Sequence, residues 1–443
     1  MSRRVVITGT GPISACGLGI EPLWEALLKG DSQIRPISTF DASGFSSNAA
    51  AAIQPDAFNI RDVVPKTYRK ALKVMCRDVE LAIGAAAAAV SHAGMITKAV
   101  DANATPTIEP TRLGCQIGAG LIAADLDELT AALSTSRNED DQFDLSTWGQ
   151  PGMGNLTPLW LLKYLPNMLA CHVTIVHDCR GPSNTITCCE ASGLLSIGES
   201  LRVIERNSAE ACLTGGVESK LNPMALLRQH FAKRVAPTPA DEDPKTILAP
   251  FAPDASGTIL GEGGALIVVE ALDSALARQA TVRAEISGFA ATQSHAAERI
   301  GLGTNPSHQE VADAMAAALT SAGRKPDEID AVFPLGSGIR GVDEAEAASI
   351  ETIFGARSKT LPVIPLTTVT GNCGAGHSAL VVAVATAALE SQKLPARINT
   401  VDSDGINAKI APACDHKLNH VLVTTCSQGG QNAAIVLSRP EIA

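Results

Sequence analysis

Residues 187–204, TCCEASGLLSIGESLRVI, decide the fold class. The stretch opens on two cysteines and a glutamate, and residues 191–204 read as a helix with small residues at its start. Short apolar runs of strand length stand on either side, at 113–117 and 210–214, and the second closes on Gly215-Gly216, which reads as a turn. Strand, helix and strand in alternation are the grammar of an α/β chain. Moving toward the N-terminus, Val5-Val6-Ile7-Thr8 reads as a short buried strand and 23–28 as an early helix. Residues 71–93 read as one long Ala-rich helix closed by Gly94.

The second half repeats the pattern. Strands are expected at 265–269, 282–286, 329–333 and 421–425, and helices near 311–322 and 344–353. Two halves of similar order indicate an internal pseudo-repeat, divided here into 1–255 and 256–443, with no low-complexity linker between them. Residues 137–154 are polar and lack periodicity, which predicts a long surface loop or dimer-contact excursion.

The chain has 443 residues, 45% hydrophobic and 18% charged. That balance excludes intrinsic disorder. Forty-six acidic residues against 35 basic give a net charge of -11, which argues against nucleic acid or an anionic membrane as partner. The opening MSRRVVITGTG is too short in its apolar part for a signal peptide or a membrane span, so a cytoplasmic protein is expected. Eleven cysteines form no C-x-x-C pair and read as reduced, mostly buried thiols. Cys414, Asp415, His416 and His420 sit close in sequence, but a polar turn before the strand at 421–425 accounts for them better than a metal site. Neither metal nor cofactor is expected.

Several landmarks then fall in one order: Arg3-Arg4-Val5-Val6-Ile7-Thr8-Gly9, Phe40-Asp41-Ala42-Ser43-Gly44-Phe45, Arg180-Gly181-Pro182-Ser183-Asn184, Gly215-Gly216-Val217-Glu218, Gly261-Glu262-Gly263-Gly264 and Gly429-Gly430-Gln431-Asn432. In that order the chain resembles the β-ketoacyl-acyl-carrier-protein synthases along its whole length. The resemblance implies a thiolase-like αβαβα layered fold of two pseudo-repeated halves, working as a dimer with an acyl carrier protein. In such a site a cysteine on a strand-to-helix turn takes the acyl group, and two histidines support decarboxylation of a malonyl unit. Backbone amides hold the thioester oxyanion.

The reacting side chains depart from that pattern. Counting back from Ile197-Gly198 puts Glu190 at the nucleophile position; a shift of one residue would put Cys189 there, with its side chain expected in packing. The first histidine position holds Leu335, in Leu335-Gly336-Ser337-Gly338, and the second holds Asn372, with Thr367 in place of a lysine. His377 reads as a helix-start residue with a partner in the core. The aromatic gate of the family becomes Cys426 and Gln428 ahead of Gly429 and Gly430, so these four and Cys189 are expected at the substrate tunnel. Asp343, Glu346, Glu218 and Glu262 are expected to hold buried backbone or arginine groups.

Three functions follow from the departures. The first is a non-condensing chain-length-factor-like subunit, shaping the acyl tunnel of a catalytic ketosynthase partner or pairing with itself. The second makes Glu190 a general acid or base of malonyl-thioester decarboxylation, thioester hydrolysis or another acyl transfer, its pKa raised by an apolar tunnel. An unpaired carboxylate there would be costly, and glutamine would relieve the cost. The third is condensation through Cys189.

Overall fold

The computed structural model describes residues 3–295, 306–400 and 405–441. Nine strands form the main path of the sheet: β1 (Val5–Ser14), β2 (Leu113–Gly118), β3 (Ser183–Ile186), β4 (Ala211–Ser219), β5 (Leu260–Ala271), β6 (Ala284–Gln293), β7 (Ala331–Phe333), β8 (His420–Cys426) and β9 (Gln431–Ser438). Their order across the sheet is β7-β8-β9-β6-β1-β5-β4-β2-β3. With the division at 255/256, strands of the two halves pair where β5 lies between β1 and β4, and β1 also meets β6 through Val6 opposite Glu285 and Ile7 opposite Ala284.

Among the helices are α1 (Arg77–His92), α2 (Met168–His177), α3 (Ser192–Glu205), α4 (Pro223–Phe231), α5 (His308–Ala322), α6 (Arg340–Phe354) and α7 (His377–Ser391); the expected early helix is also present, as Ile20–Lys29. The central core joins α3 and α7 to strands of both halves, through residues such as Leu194, Ile197, Leu380, Ile267 and Ile435. A second core lies under α1 and α2, and a third under α5 and α6. The layering is therefore helix, sheet, helix, sheet, helix: the thiolase-like αβαβα arrangement. Helix α7, HSALVVAVATAALES, is apolar around its whole circumference and buried along nearly all its length, as a central-layer helix must be. Close approach of α1 to β1 depends on two glycines. A Cβ at Gly11 would stand 2.1 Å from the Ala85 carbonyl oxygen and one at Gly9 2.5 Å from that of Ala89, so the alanines of α1 lie directly on the strand.

Several elements differ from expectation. The helix expected over 71–93 is two pieces: a 3-10 run, Lys66–Val74, then α1, because Met75 is extended at φ −104°, ψ 135°. Strand β4 does not end at Gly215-Gly216 but runs on to Ser219, with Glu218 and Ser219 opposite Gly263 and Glu262. The Gly pair serves close packing rather than a turn: at Gly215 a Cβ would meet the Ala265 carbonyl at 2.2 Å. The excursion at 137–154 contains short helical turns, Leu145–Thr147, Trp148–Gly152 and Met153–Asn155. No helix among the described residues is long and apolar enough to cross a membrane.

Candidate active site

The chain passes from β3 to α3 through a turn whose backbone is unusual. Cys188 stands at φ −137°, ψ 42°, and Cys189 is left-handed at φ 48°. A non-glycine residue there costs about 1 kcal/mol and persists only where its surroundings hold it. Ser192 supplies part of that hold, its hydroxyl oxygen accepting from the Cys188 N–H (2.8 Å) and donating to the Cys189 carbonyl (2.7 Å). Glu190 follows in a single 3-10 turn. Its carbonyl accepts from the hydroxyls of Ser378 (2.8 Å), in the first turn of α7, and Thr425 (3.5 Å), on β8. Side chains of the second half thus fix the turn of the first.

The Glu190 side chain is 5% exposed and paired. Arg234 Nη2 donates to Oε1 at 2.5 Å, and the Gln428 main-chain N–H lies 3.4 Å from Oε2. Burial alone would raise this carboxyl, but the Arg234 guanidinium and then the Lys220 ammonium outweigh burial and hold it below the ordinary carboxylate range. The raised pKa and the unpaired carboxylate expected from the sequence are both overturned by these two cations. Lys220 is itself paired with Glu218, whose Oε2 also accepts from the Ala375 N–H (2.7 Å). Burial pulls the ammonium down, yet Glu218 and Glu190 together leave it raised. Gly120 makes room for the second pair, since a Cβ there would stand 1.8 Å from a Glu218 carboxylate oxygen.

Glu190, Glu218, Lys220 and Gly120 line a cavity of about 270 Å³, bounded also by Leu121, Thr187, Arg228 and Gln428, while Arg234 stays outside its lining. Cys189, left-handed at φ 48°, lines it too, as expected of a residue at the tunnel. Its thiol is pushed up to about 11, first by burial and then by the Glu190 charge beside it, which leaves very little thiolate at neutral pH.

Leu335, Asn372 and Cys426 stand elsewhere. Leu335 is 1% exposed in the third core, where it packs in one cluster with Phe251, Val342 and the fully buried Cys426. The loop it begins is held by two buried carboxylates on α6. Glu346 accepts from the Leu335 and Gly336 amides (3.0 and 2.9 Å), and Asp343 accepts from those of Ser337, Gly338 and Phe251 (2.8, 3.0 and 2.9 Å). Asn372 folds back on its own loop, Oδ1 accepting from the Gly374 N–H at 2.9 Å. Glu262 takes Arg77 and the Ile53 N–H. Gly429 is exposed, and Gly430 turns the chain into β9 at φ 83°. His377 does open α7, but neither ring nitrogen has a hydrogen-bond partner. Complete burial pushes its pKa down to about 4, against smaller opposing effects from Glu190 and the Leu335 backbone. The core hydrogen bond expected for it is not made.

The cavity therefore gathers Cys189, Glu190 and Gln428 of the expected residues, and omits Leu335, Asn372, Cys426, Gly429 and Gly430 from its lining. Arg234 and Lys220 carry the site's electrostatics without having been singled out from the sequence. The one signal available was indirect, since a buried carboxylate needs a counter-ion from some other part of the chain.

Comparison with known proteins bears on this arrangement. Residues 2–275 match the family model described as β-ketoacyl synthase, N-terminal domain, and residues 283–401 the corresponding C-terminal domain. Over 99% of both chains the sequence is 29% identical to 3-oxoacyl-[acyl-carrier-protein] synthase 2 of Coxiella burnetii. It is 28% identical to the granaticin polyketide putative β-ketoacyl synthase 1 of Streptomyces violaceoruber, covering 100% of this chain and 99% of the other. Among solved structures, the ishigamide ketosynthase/chain length factor superposes with TM-score 0.82 at 25% identity, over 99% of this chain and 100% of that one.

Proposed function

The chain belongs to the β-ketoacyl synthase family, and from that premise we propose that it is a non-condensing, chain-length-factor-like subunit that pairs with a catalytic ketosynthase and shapes its acyl tunnel. The observation that carries this reading is the buried Glu190–Arg234 pair at 2.5 Å, on the turn where the family resemblance puts the nucleophile. An ionised carboxylate held by a guanidinium, with one oxygen facing a backbone amide, is a poor nucleophile toward a thioester and a poor proton acceptor. Leu335 and Asn372, at the two histidine positions of the resemblance, offer no imidazole to support decarboxylation. The residues 1–255 and 256–443 are taken as the two halves of the subunit.

Two surfaces support the partners. Strand β3 is the edge of the sheet and is half exposed, and Leu121, Leu159, Leu161 and Ile175 are apolar and more than half exposed. An open strand edge beside apolar side chains suits a second ketosynthase-fold chain. Arg61, Lys66, Arg69, Lys70 and Lys73 are all exposed within 13 residues of a chain whose net charge is negative, which suits an acidic carrier protein.

The test is reconstitution. The chain alone, given acyl- and malonyl-carrier protein, is expected to give no condensation product and no acyl adduct by intact mass. Mixed with a ketosynthase encoded beside it, it is expected to form a one-to-one heterodimer by native mass spectrometry, in which product length depends on this subunit. Turnover by the chain alone, with an acyl group mapped to Cys189, would sink the reading.

A further inference from the structure

A second cavity, of about 490 Å³, lies back to back with the first. The end of β4 and the residues after it form part of the wall between them. Glu218 and Lys220 face the first cavity while Ser219 and Leu221 face the second, and Leu121 faces the first while Ile122 faces the second. The two linings differ in charge. In the first, Glu190 and Glu218 are matched by Lys220 and Arg228; the second is lined by four carboxylates, Asp78, Glu80, Asp125 and Glu262, against a single cation, Arg77.

Arg77 is already committed. It holds Glu262 at 3.1 Å and Glu80 at 3.5 Å, and its guanidinium stands 5.7 Å from the Phe58 ring centroid. Glu262 is further satisfied by the Ile53 N–H (2.9 Å) and the Ser219 hydroxyl (3.0 Å). Asp78 is different. It is 3% exposed, lines the cavity, and its one hydrogen bond is a long contact from the Ser219 N–H to Oδ1 at 3.3 Å; Oδ2 has none. A carboxyl nine-tenths buried with an unpartnered oxygen on a cavity wall is costly unless something else meets that oxygen. The lining also carries apolar side chains, Ile53, Phe58 and Ile122 among them, with Phe58 under the Arg77 guanidinium. No set of three or more His, Cys, Asp or Glu among the described residues is arranged to hold a metal ion.

We propose that this cavity is a binding site for an organic ammonium ion, whose charged end meets Asp78 beside Glu262 and Glu80 and whose apolar body lies along Phe58 and Ile122. The acidic excess selects the charge, and the aromatic and aliphatic wall selects a carbon skeleton over a hydrated inorganic ion. Asp78 is also poised to respond. Burial, then the Glu218 charge, pushes it up to about 8 against the Ser219 N–H and Lys220, with Glu262 adding to the rise. At pH 7 it holds a proton that an incoming ammonium displaces, so binding and proton release are linked.

Calorimetry of the full chain at pH 7 with benzylammonium chloride, in phosphate and in MOPS, tests this through the buffer dependence of the heat. Most of one proton should be released per cation bound. Benzyl alcohol, of the same shape without the charge, should bind at least about tenfold more weakly and release none. Asp78→Asn should abolish the proton release and weaken benzylammonium at least about tenfold. Glu80→Gln, at the half-exposed rim, should weaken it only a few-fold and keep the proton release. If Asp78→Asn fails to fold, the alcohol comparison and Glu80→Gln still decide. No benzylammonium binding at 10 mM on the order of weak fragment affinities, equal binding of the alcohol, or binding without proton release would each overturn the proposal.

Discussion

The turn at 187–192 and the loop at 335–338 hold two of the positions where the family resemblance puts reacting groups, and they have been refilled in opposite ways. The turn took a charge. Glu190 is buried and therefore needed a cation, which it found in Arg234, 44 residues along the chain in the loop after α4. The loop took an aliphatic side chain. Leu335 joined the third core, and the buried carboxylates Asp343 and Glu346 hold the loop there by hydrogen bonds from its amides and the Ser337 hydroxyl. A charged replacement keeps the cavity polar and couples two distant segments. An apolar replacement removes its position from the cavity and needs no partner.

The largest expected effect follows from that coupling. Glu190→Gln leaves a 7%-exposed guanidinium without its carboxylate, and should destabilise the chain by about 3 kcal/mol in urea unfolding, opposite in sign to the expectation from sequence. Arg234→Met should do similar damage. The double variant Glu190→Leu, Arg234→Met should recover to within about 1 kcal/mol of the parent, because replacing both members of a buried pair removes the orphan. Additive losses in the double variant would show that the pair is not the unit of stability.

Why Arg234 escaped the sequence while Glu190 did not is a matter of distance. Glu190 sits a fixed count before Ile197-Gly198 on a continuous helix frame, so its place on the turn was legible. Arg234 follows Lys233, a residue at φ 55°, in a loop without periodicity, and nothing local separates a buried arginine from an exposed one. Strand β4 shows the same limit. Gly215-Gly216 has turn composition, and only the approach of β5 explains why the strand continues through it. The α/β class was readable from helix and strand periodicity and the αβαβα layering from the family resemblance; the ion pairs and the cavity walls depend on contacts between segments far apart in sequence.

The next effect concerns buried titratable groups: both ring nitrogens of His377 lack a hydrogen-bond partner, while His177 Nδ1 stands 2.9 Å from the Thr97 hydroxyl. His377, beside the turn, and His177, at the end of α2, are both buried and pushed down to about 4. Between pH 6.5 and about 4 the unfolded chain binds protons that the folded chain refuses, so stability falls as pH drops through that window. Asp78 runs the other way: the folded chain keeps its proton to about 8 while the unfolded chain releases it near 4, so its contribution is lost as pH rises across that range. His377→Leu should therefore flatten the acid side of the profile of Tm against pH, by on the order of 2 kcal/mol at pH 4.5. Asp78→Asn should flatten the profile across about pH 4 to 8. A parent profile unchanged by His377→Leu below pH 6.5 would mean that this imidazole already has a partner in solution.

The smallest effect separates the two sulfurs that the turn and the loop left behind. Cys189 lines the first cavity and Cys426 is sealed in the third core with Leu335. With iodoacetamide at pH 8, followed by peptide mapping, the exposed Cys414 should label first. Cys189 should follow slowly, since a thiol near 11 is roughly one part in a thousand thiolate at that pH. Cys426 should not label at all while the chain is folded. Glu190→Gln removes the charge next to Cys189 but leaves its burial, which is the larger cause of the shift, so labelling should speed up only about three- to tenfold. Because that variant is also less stable, Cys426 serves as the control: faster labelling of both cysteines reports opening of the whole fold, whereas faster labelling of Cys189 alone reports the lost charge. Labelling of Cys189 at the rate of Cys414 in the parent would instead reveal an activated thiolate on the turn, and would return the condensing reading to contention.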